Sequence, residues 1–345
     1  MIIHMPIEQH PYDIQIGFDT LSLLKDELIK HQQKKAFILT DETVYELYKD
    51  KVGTLLDEFD IHYVVVKAGE TSKSIETFEL VSNTLIQQGI KRDNILIALG
   101  GGVIGDLGGF VASTLYRGIA YIQIPTTLLA MVDSSIGGKT GINTALGKNL
   151  IGAFHHPLAV IIDLNFLNTL PNHEYKNGMA EIIKAGFIGD QALLEKLEAQ
   201  DIQTEDMITR AILVKKTVVI KDPYDHHERM FLNFGHTFGH AFENKTNYTV
   251  SHGFAVAEGM IIAIRIGIKL GLTERTLLKR IHNLLERYDL GLLKPNPNHL
   301  IEQTDQDKKN LKGTLNMVLL EGVGQPKIVA LTKEDLYGCF NRKTT

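Results

Sequence analysis

The stretch ALGGGVIGDLGGFVAS, Ala98–Ser113, decides the fold. Its glycines are denser than an ordinary helix tolerates, since each one inside a helix costs about 1 kcal/mol relative to alanine. Gly100-x-Gly102-x-x-Gly105 follows the strand-like run NILIAL (Asn94–Leu99) and opens a helical pattern, the context a dinucleotide loop requires. Glycine lets the backbone approach a pyrophosphate, and the helix N-terminus supplies N–H groups and positive potential. The acid expected at the end of the next strand is missing, because that strand ends in Pro125-Thr126-Thr127. Two readings stand: a non-standard nucleotide loop, or a close-packed structural turn.

Outward from this stretch, short β-branched runs alternate with helical patterns. AFILT (Ala36–Thr40), HYVVVK (His62–Lys67), NILIAL, IAYIQIP (Ile119–Pro125) and LAVIID (Leu158–Asp163) read as strands. Most are continuously apolar, as strands buried on both faces of a parallel sheet are. Asp41–Asp50 and Ser74–Gly89 read as helices between them, the second with a serine cap and a terminal glycine. This alternation defines a Rossmann-like, doubly wound α/β domain over 1–168. From 169 to 345 the pattern turns mainly helical: Glu174–Phe187, Gln191–Ala199, Glu205–Lys221, Gly235–Lys245, Phe254–Leu270 and Glu274–Tyr288. A hairpin-like pair returns around Gly324.

Composition bounds the function. The net charge is −5 and the basic residues are scattered, which argues against nucleic acid and membrane surfaces as partners. Cys339 is the single cysteine, so no intrachain disulfide forms and a reducing, cytoplasmic setting is expected. The N-terminal MIIHMPIEQH does not read as a signal peptide. The apolar windows Ile95–Leu115 and Phe254–Leu272 carry Asp106, and Glu258 with Arg265, and are poor membrane spans.

Two further regions carry chemistry. Ile124–Pro157 shows no regular period but offers hydroxyls, glycines, Asp133, Lys139 and Lys148, a composition suited to an anionic ligand. LNFGHTFGHAFE places His236 and His240 four apart on one helix face, SHGFAVAEGM adds His252, and NGMAEIIKAG puts Glu181 and Lys184 on one face of another helix. A carboxylate and imidazoles are what a catalytic Zn²⁺ takes as three ligands. Spacing alone nominates His236 and His240. His4, His10, His31, His62, His282 and His299 have no such company and read as surface residues.

GGGVIGDLGGF, YRG, IPTTLLAMVDSSIGGKTGIN, GKNLIGAFHHP, NGMAEIIKAG, LNFGHTFGHAFE, HGFAVAEGM and DKK stand in one order from about Glu70 to Lys309. In that order the chain resembles the 3-dehydroquinate synthase family of sugar-phosphate cyclases. The resemblance implies a nucleotide-binding α/β domain, a helical metal-binding domain and an active site in the cleft between them. It also implies NAD, a zinc ion that cobalt can replace, and a cytoplasmic homodimer. The implied reaction converts 3-deoxy-D-arabino-heptulosonate 7-phosphate (DAHP) to 3-dehydroquinate and phosphate in the shikimate pathway. Its course is transient oxidation, β-elimination of phosphate, re-reduction, ring opening and aldol closure. A metal-dependent polyol or glycerol dehydrogenase and a sister sugar-phosphate cyclase are the alternatives.

Carried over residue by residue, the resemblance makes Glu181, His236 and His252 the metal ligands, so His240 becomes a substrate-side acid–base residue. It places Asp41, Glu70, Lys73, Gly101, Gly102, Val103, Gly105, Asp106, Thr126, Thr127, Lys139, Lys148, Asn149, Phe166, Thr169 and Asn177 around NAD. Arg117, Asp133, Lys139, Asn149, Lys184, Lys215, Arg229 and Asn233 fall to substrate and catalysis, with Lys308 or Lys309 closing the site. DPYDHHER (Asp222–Arg229) departs from relatives that carry a glycine-containing turn with a glutamate nearby. There Asp222 or Asp225 must supply any carboxylate function.

Overall fold

The structure, a computed structural model, describes residues 1–8, 10–306 and 314–341. The chain divides into two compact units, Met1–Pro171 and Asn172–Thr345.

The first unit runs β1 (Ile2–Met5), β2 (Tyr12–Gly17), α1 (Leu23–Lys30), β3 (Lys35–Asp41), α2 (Glu42–Leu55), β4 (Asp60–Val66) and α3 (Ile75–Gln87). It continues with β5 (Ile95–Gly100), α4 (Gly102–Thr114), β6 (Ala120–Pro125), β7 (Lys139–Thr144), β8 (Gly147–Phe154) and β9 (Ala159–Asp163). Seven strands form one sheet in the order β1-β2-β9-β6-β5-β3-β4. Only β1–β2 is antiparallel in it. The central strands β5 and β9 are buried at every position, which is why they read as unbroken apolar runs. Helices α2 and α3 start where Asp41 and Ser74 accept N–H bonds from their first turns. After α3 the chain turns through Gly89 at φ +84°.

The opening question resolves into two jobs. On α4, a Cβ at Gly108 would stand 2.9 Å from the Ala98 Cβ, and one at Gly109 would stand 2.3 Å from Thr140 Cγ2. These two glycines let the helix lie directly on β5 and β7. Gly100 to Gly105 serve the loop itself.

Two parts of the unit differ from the sequence reading. The β1–β2 hairpin is absent from the sequence reading, although β2 alternates buried and half-buried residues as a strand covered on one face does. Ile124–Pro157, read as aperiodic, contains a short π-helical segment (Ala130–Ser134) and the antiparallel β7–β8 hairpin. Strand β8 has no buried position, so it carries no alternation to read.

The second unit contains α5 (Asn172–Gly189), α6 (Gln191–Ala199), α7 (Thr204–Lys221), α8 (His236–Lys245), α9 (His252–Lys269), α10 (Arg275–Arg287) and α11 (Pro297–Ile301). The β10–β11 hairpin (Leu315–Gly322, Gln325–Leu331) and α12 (Lys333–Asn341) follow. Helix α9 is its centre, with thirteen of its eighteen residues buried. Glycines bring its neighbours to backbone contact. A Cβ at Gly259 would meet the Gly235 carbonyl oxygen at 1.9 Å, and one at Gly253 would meet Asn177 Cα at 2.5 Å. Among the described residues, no helix is long and apolar enough to cross a membrane. His62 and His282, read as surface residues, are half-buried: His62 stacks on Phe37 at 5.0 Å, and on α10 burial followed by the nearby Arg265 lowers the His282 pKa.

Candidate functional site

In the first unit, β5 delivers Gly100 to the start of α4. Gly101 is the cap residue and offers no side chain to the helix N–H groups. A Cβ at Gly101 would press on Thr127 Cγ2 at 3.0 Å, and one at Gly102 on Ser134 Oγ at 2.9 Å. The Thr126 N–H donates to the Gly100 carbonyl at 3.0 Å, fastening the end of β6 to the loop. Gly105 brings α4 against Gln123, whose Oε1 would lie 2.7 Å from an added Cβ. The result is a shallow cradle with backbone donors at the head of a thirteen-residue helix. Asp41 ends β3, which flanks β5 in the sheet although it precedes it in the chain. Its Oδ1 accepts the Thr43 and Val44 N–H groups at 2.9 and 3.0 Å.

Lys73 organises the neighbouring polar cluster. The buried ammonium donates to Asp106 Oδ2 at 2.7 Å and to Asn149 Oδ1 at 2.6 Å, with Glu70 3.9 Å away. Asn143, which the sequence did not single out, donates to Glu70 and accepts the Asn149 N–H. Burial raises the Asp106 pKa despite Lys73 beside it. Phe166 is buried, and Tyr48 meets it edge-on at 4.7 Å while its hydroxyl bonds the Thr169 hydroxyl. Tyr48 was also missed, because a tyrosine on an exposed helix carries no motif.

Val103 is half-buried in the first turn of α4, Asp133 lies in the π-helical segment with its charge close enough to Asp106 to help raise that pKa, Lys139 begins β7 exposed, and Lys148 sits half-buried in β8 beside Asn149. Arg117 is exposed in a left-handed turn beyond the far end of α4. A helix of that length separates it from the glycine loop by about 20 Å.

The second unit holds a buried acid–imidazole centre. Glu181 and Lys184 on α5 are each 3% exposed and form an ion pair through Glu181 Oε2. His236 opens α8 and His252 opens α9, and their Nε2 atoms lie 3.6 and 3.4 Å from the same oxygen, Glu181 Oε1. Ligand atoms of Glu181, His236 and His252 all fall within 4.8 Å of one another. Both Glu181 oxygens are buried without a hydrogen bond, although a buried carboxylate ordinarily collects several. Two imidazoles converging on one oxygen of a buried carboxylate, whose other oxygen is paired only with Lys184, fit a tetrahedral dication with one open position.

Spacing had nominated His236 and His240. The rings of His240 and His252 both lie 5.3 Å from that of His236, but it is His252 that joins His236 at Glu181 Oε1, while His240 is exposed at the rim. Burial would raise the Glu181 pKa, but Lys184 and the two imidazoles outweigh it and hold it well below the carboxylate range. Burial, then Lys184, pushes His236 well below the usual imidazole value, so it is neutral and able to ligate. For His252 burial is outweighed by Glu181 and Glu243, which raise it to about 10.

A small open cavity beside the centre is lined by Met230, Asn233, His236, Thr237, His240 and Asn316. Lys215 on α7 and Arg229 are buried. Asn177 is held on α5, accepting the Gly253 N–H at 3.1 Å. Lys308 and Lys309 lie outside the described residues.

In the DPYDHHER segment the two aspartates separate. Asp222 accepts backbone N–H bonds from His226, His227 and Arg229 at 2.9, 2.6 and 3.0 Å. Burial opposes ionisation, but these donors prevail and hold its pKa at about 2. Asp222 is thus committed to shaping the turn, and Asp225 sits at φ +60° within it. Asp222→Ala is expected to destabilise the protein by about 1–3 kcal/mol near neutral pH, through orphaned N–H groups. The folded pKa lies below the unfolded one, so this contribution is complete above about pH 4 and fades toward pH 2. Urea unfolding of parent and variant across that range should show the gap closing; a gap independent of pH would assign the loss to something other than the charge.

The fold is shared with solved sugar-phosphate cyclases. A crystal structure of 2-deoxy-scyllo-inosose synthase complexed with carbaglucose-6-phosphate, NAD+ and Co2+ is similar at TM-score 0.89 and 25% identity, covering 99% of each chain. The 3-dehydroquinate synthase N-terminal family matches residues 63–177 and its C-terminal counterpart residues 178–310. The chain belongs to the 3-dehydroquinate synthase family. A 3-dehydroquinate synthase of Dictyoglomus thermophilum is 44% identical over 96% of this chain and 95% of its own length. That of Thermoanaerobacter pseudethanolicus is 40% identical over 97% and 98%. The chain is an enzyme of the lyase class, acting on a small molecule, and the dehydrogenase alternative is not favoured.

Proposed function

We propose that this chain converts DAHP to 3-dehydroquinate and phosphate without net redox change. The observation that carries the reading is the convergence of Glu181, His236 and His252, with Lys184 beside them, in a chain of this family. Residues 1–168 form the NAD-binding domain and 169–345 the metal- and substrate-binding domain. When bound, zinc or cobalt supplies a Lewis acid for a substrate hydroxyl, and NAD a reversible hydride acceptor.

The protein's own groups bind, orient and exchange protons. The N–H groups at Gly101 to Val103 receive the pyrophosphate, Asp41 the ribose, and Thr126, Thr127, Phe166 and Thr169 line the nucleotide, with Tyr48 bracing the last two. Glu70, Lys73, Asp106, Lys148 and Asn149 serve the nicotinamide side, and Asn177, in the helical domain, is assigned to NAD as well. Glu181, His236 and His252 hold the metal. Arg117, Lys139, Lys184, Lys215, Arg229 and Asn233, with Lys308 or Lys309, bind the carboxylate and phosphate of the substrate. Fixed cations there stabilise the departing phosphate, whose own oxygens act as base. His240, with its ring at the rim, exchanges a proton with the substrate, and Asp133 orients it. Enclosure favours correct aldol closure through proximity. Assembly as a cytoplasmic homodimer, apart from nucleic acid and membranes, belongs to the same proposal.

Purified protein given DAHP, NAD⁺ and Zn²⁺ is expected to release phosphate while NADH absorbance stays flat. Stoichiometric NADH would instead indicate a polyol dehydrogenase. Phosphate released only from another sugar phosphate would indicate a sister cyclase.

A further inference from the structure

We propose that Glu243 is a positioning residue for the metal centre: its carboxylate holds His252 Nδ1 and so turns His252 Nε2 onto Glu181. The inference rests on the assignment of Glu181, His236 and His252 as ligands.

Glu243 lies on α8, two turns after His236, and is only 4% exposed. Its neighbours on that helix, Phe238 and Ala241, are buried and apolar. A carboxylate in such a place is costly unless it is paired. Its Oε2 lies 3.5 Å from His252 Nδ1, while the opposite ring nitrogen stands 3.4 Å from Glu181 Oε1. His236 shows the same division of labour with a neutral partner, its Nδ1 lying 3.3 Å from the Phe234 carbonyl. In both rings the outer nitrogen is engaged and the inner one faces the same carboxylate oxygen.

The two cases differ in what would hold the ring without that partner. His236 follows Phe234 by two residues, so its acceptor is built into the adjacent backbone. His252 is the first residue of α9, and Ser251 before it makes no side-chain cap bond. Its orientation therefore depends on a group from another helix. When the Nε2 proton gives way to a metal, a carboxylate on the outer nitrogen accepts the remaining N–H, fixes that tautomer and makes the inward lone pair a stronger donor.

The competing arrangement is that Glu243 is itself a ligand, because His240, Glu243 and His252 also bring donor atoms within 4.8 Å of one another. Metal titration separates the two. Metal-stripped parent, Glu243→Gln, Glu243→Asp and His252→Ala are titrated with Zn²⁺ against a chelating dye and with Co²⁺ by visible absorption. Parent and Glu243→Gln are each expected to bind one equivalent, Glu243→Gln about 10–100-fold more weakly and with shifted cobalt bands. Glu243→Asp, which keeps the charge but shortens its reach, recovers part of the affinity. Unchanged zinc affinity and cobalt spectrum in Glu243→Gln would overturn the positioning role. So would a second equivalent in the parent that this variant alone loses, which would make Glu243 a ligand. If His252→Ala binds metal as tightly as the parent, the ligand assignment fails first.

Discussion

His252→Ala loses the metal and turnover together while its affinity for NAD stays nearly that of the parent. The reason is geometric. His252 Nε2 is one of two imidazole nitrogens facing Glu181 Oε1, and α9 offers no substitute side chain at that point. Removing a direct ligand should weaken zinc by well over the roughly 100-fold that loss of outer support costs. The proposed nucleotide residues lie in the first unit except Asn177. That residue is fastened to the Gly253 N–H, a backbone group the substitution leaves in place. His240→Ala is the companion: its ring is exposed, so the metal should stay while the chemistry slows. Equilibrium dialysis with metal analysis, run beside NAD titration and phosphate release, reads all of these. Full activity in His252→Ala with metal still bound would show the three ligands to be misassigned.

Gly259→Ala is expected to be the most damaging single methyl in the helical unit. The new Cβ would stand 1.9 Å from the Gly235 carbonyl oxygen and 2.8 Å from the Gly239 nitrogen, all backbone atoms that no rotamer can move. Helices α8 and α9 must separate, and Gly235 immediately precedes His236. Overpacking of this kind costs about 1–3 kcal/mol, and rigid backbone on the far side places this case at or above the top of that range. Zinc affinity should fall with stability because the two histidines start the two helices being forced apart. Gly53→Ala on α2 is the control, since nothing lies within 4 Å of its added Cβ and helix propensity favours alanine by about 1 kcal/mol. Urea unfolding of both variants decides the matter. A Gly259→Ala protein as stable as the parent, with parental zinc affinity, would contradict the close crossing.

Much of the architecture could be read before folding, for physical reasons that differ by element. Strands β5 and β9 are covered on both faces, so their residues are apolar at every position. Helix α6 runs over the range expected, Gln191–Ala199, and Asp190 caps its start. Strand β8 was not, since a strand without a buried face carries no pattern. The site divides in the same way. Gly100 to Gly105 announce a cradle because their spacing is local to one turn. Asp41 is placed on the strand beside that cradle by sheet order, which chain order does not reveal. Helical spacing brought His236 and His240 to one face but was silent on which histidine meets Glu181, because α5 is distant in sequence from α8 and α9. Tyr48, Asn143 and Glu243 act through contacts across elements, and no motif encodes such contacts.

The last strand of the first unit, β9, lies in the middle of its sheet, bonded to β2 on one side and β6 on the other. During synthesis the ribosome must therefore deliver Asp163 before this sheet can close. Any nascent or truncated chain ending ahead of Ala159 presents two hungry edges facing an empty slot, the form in which strands recruit foreign partners.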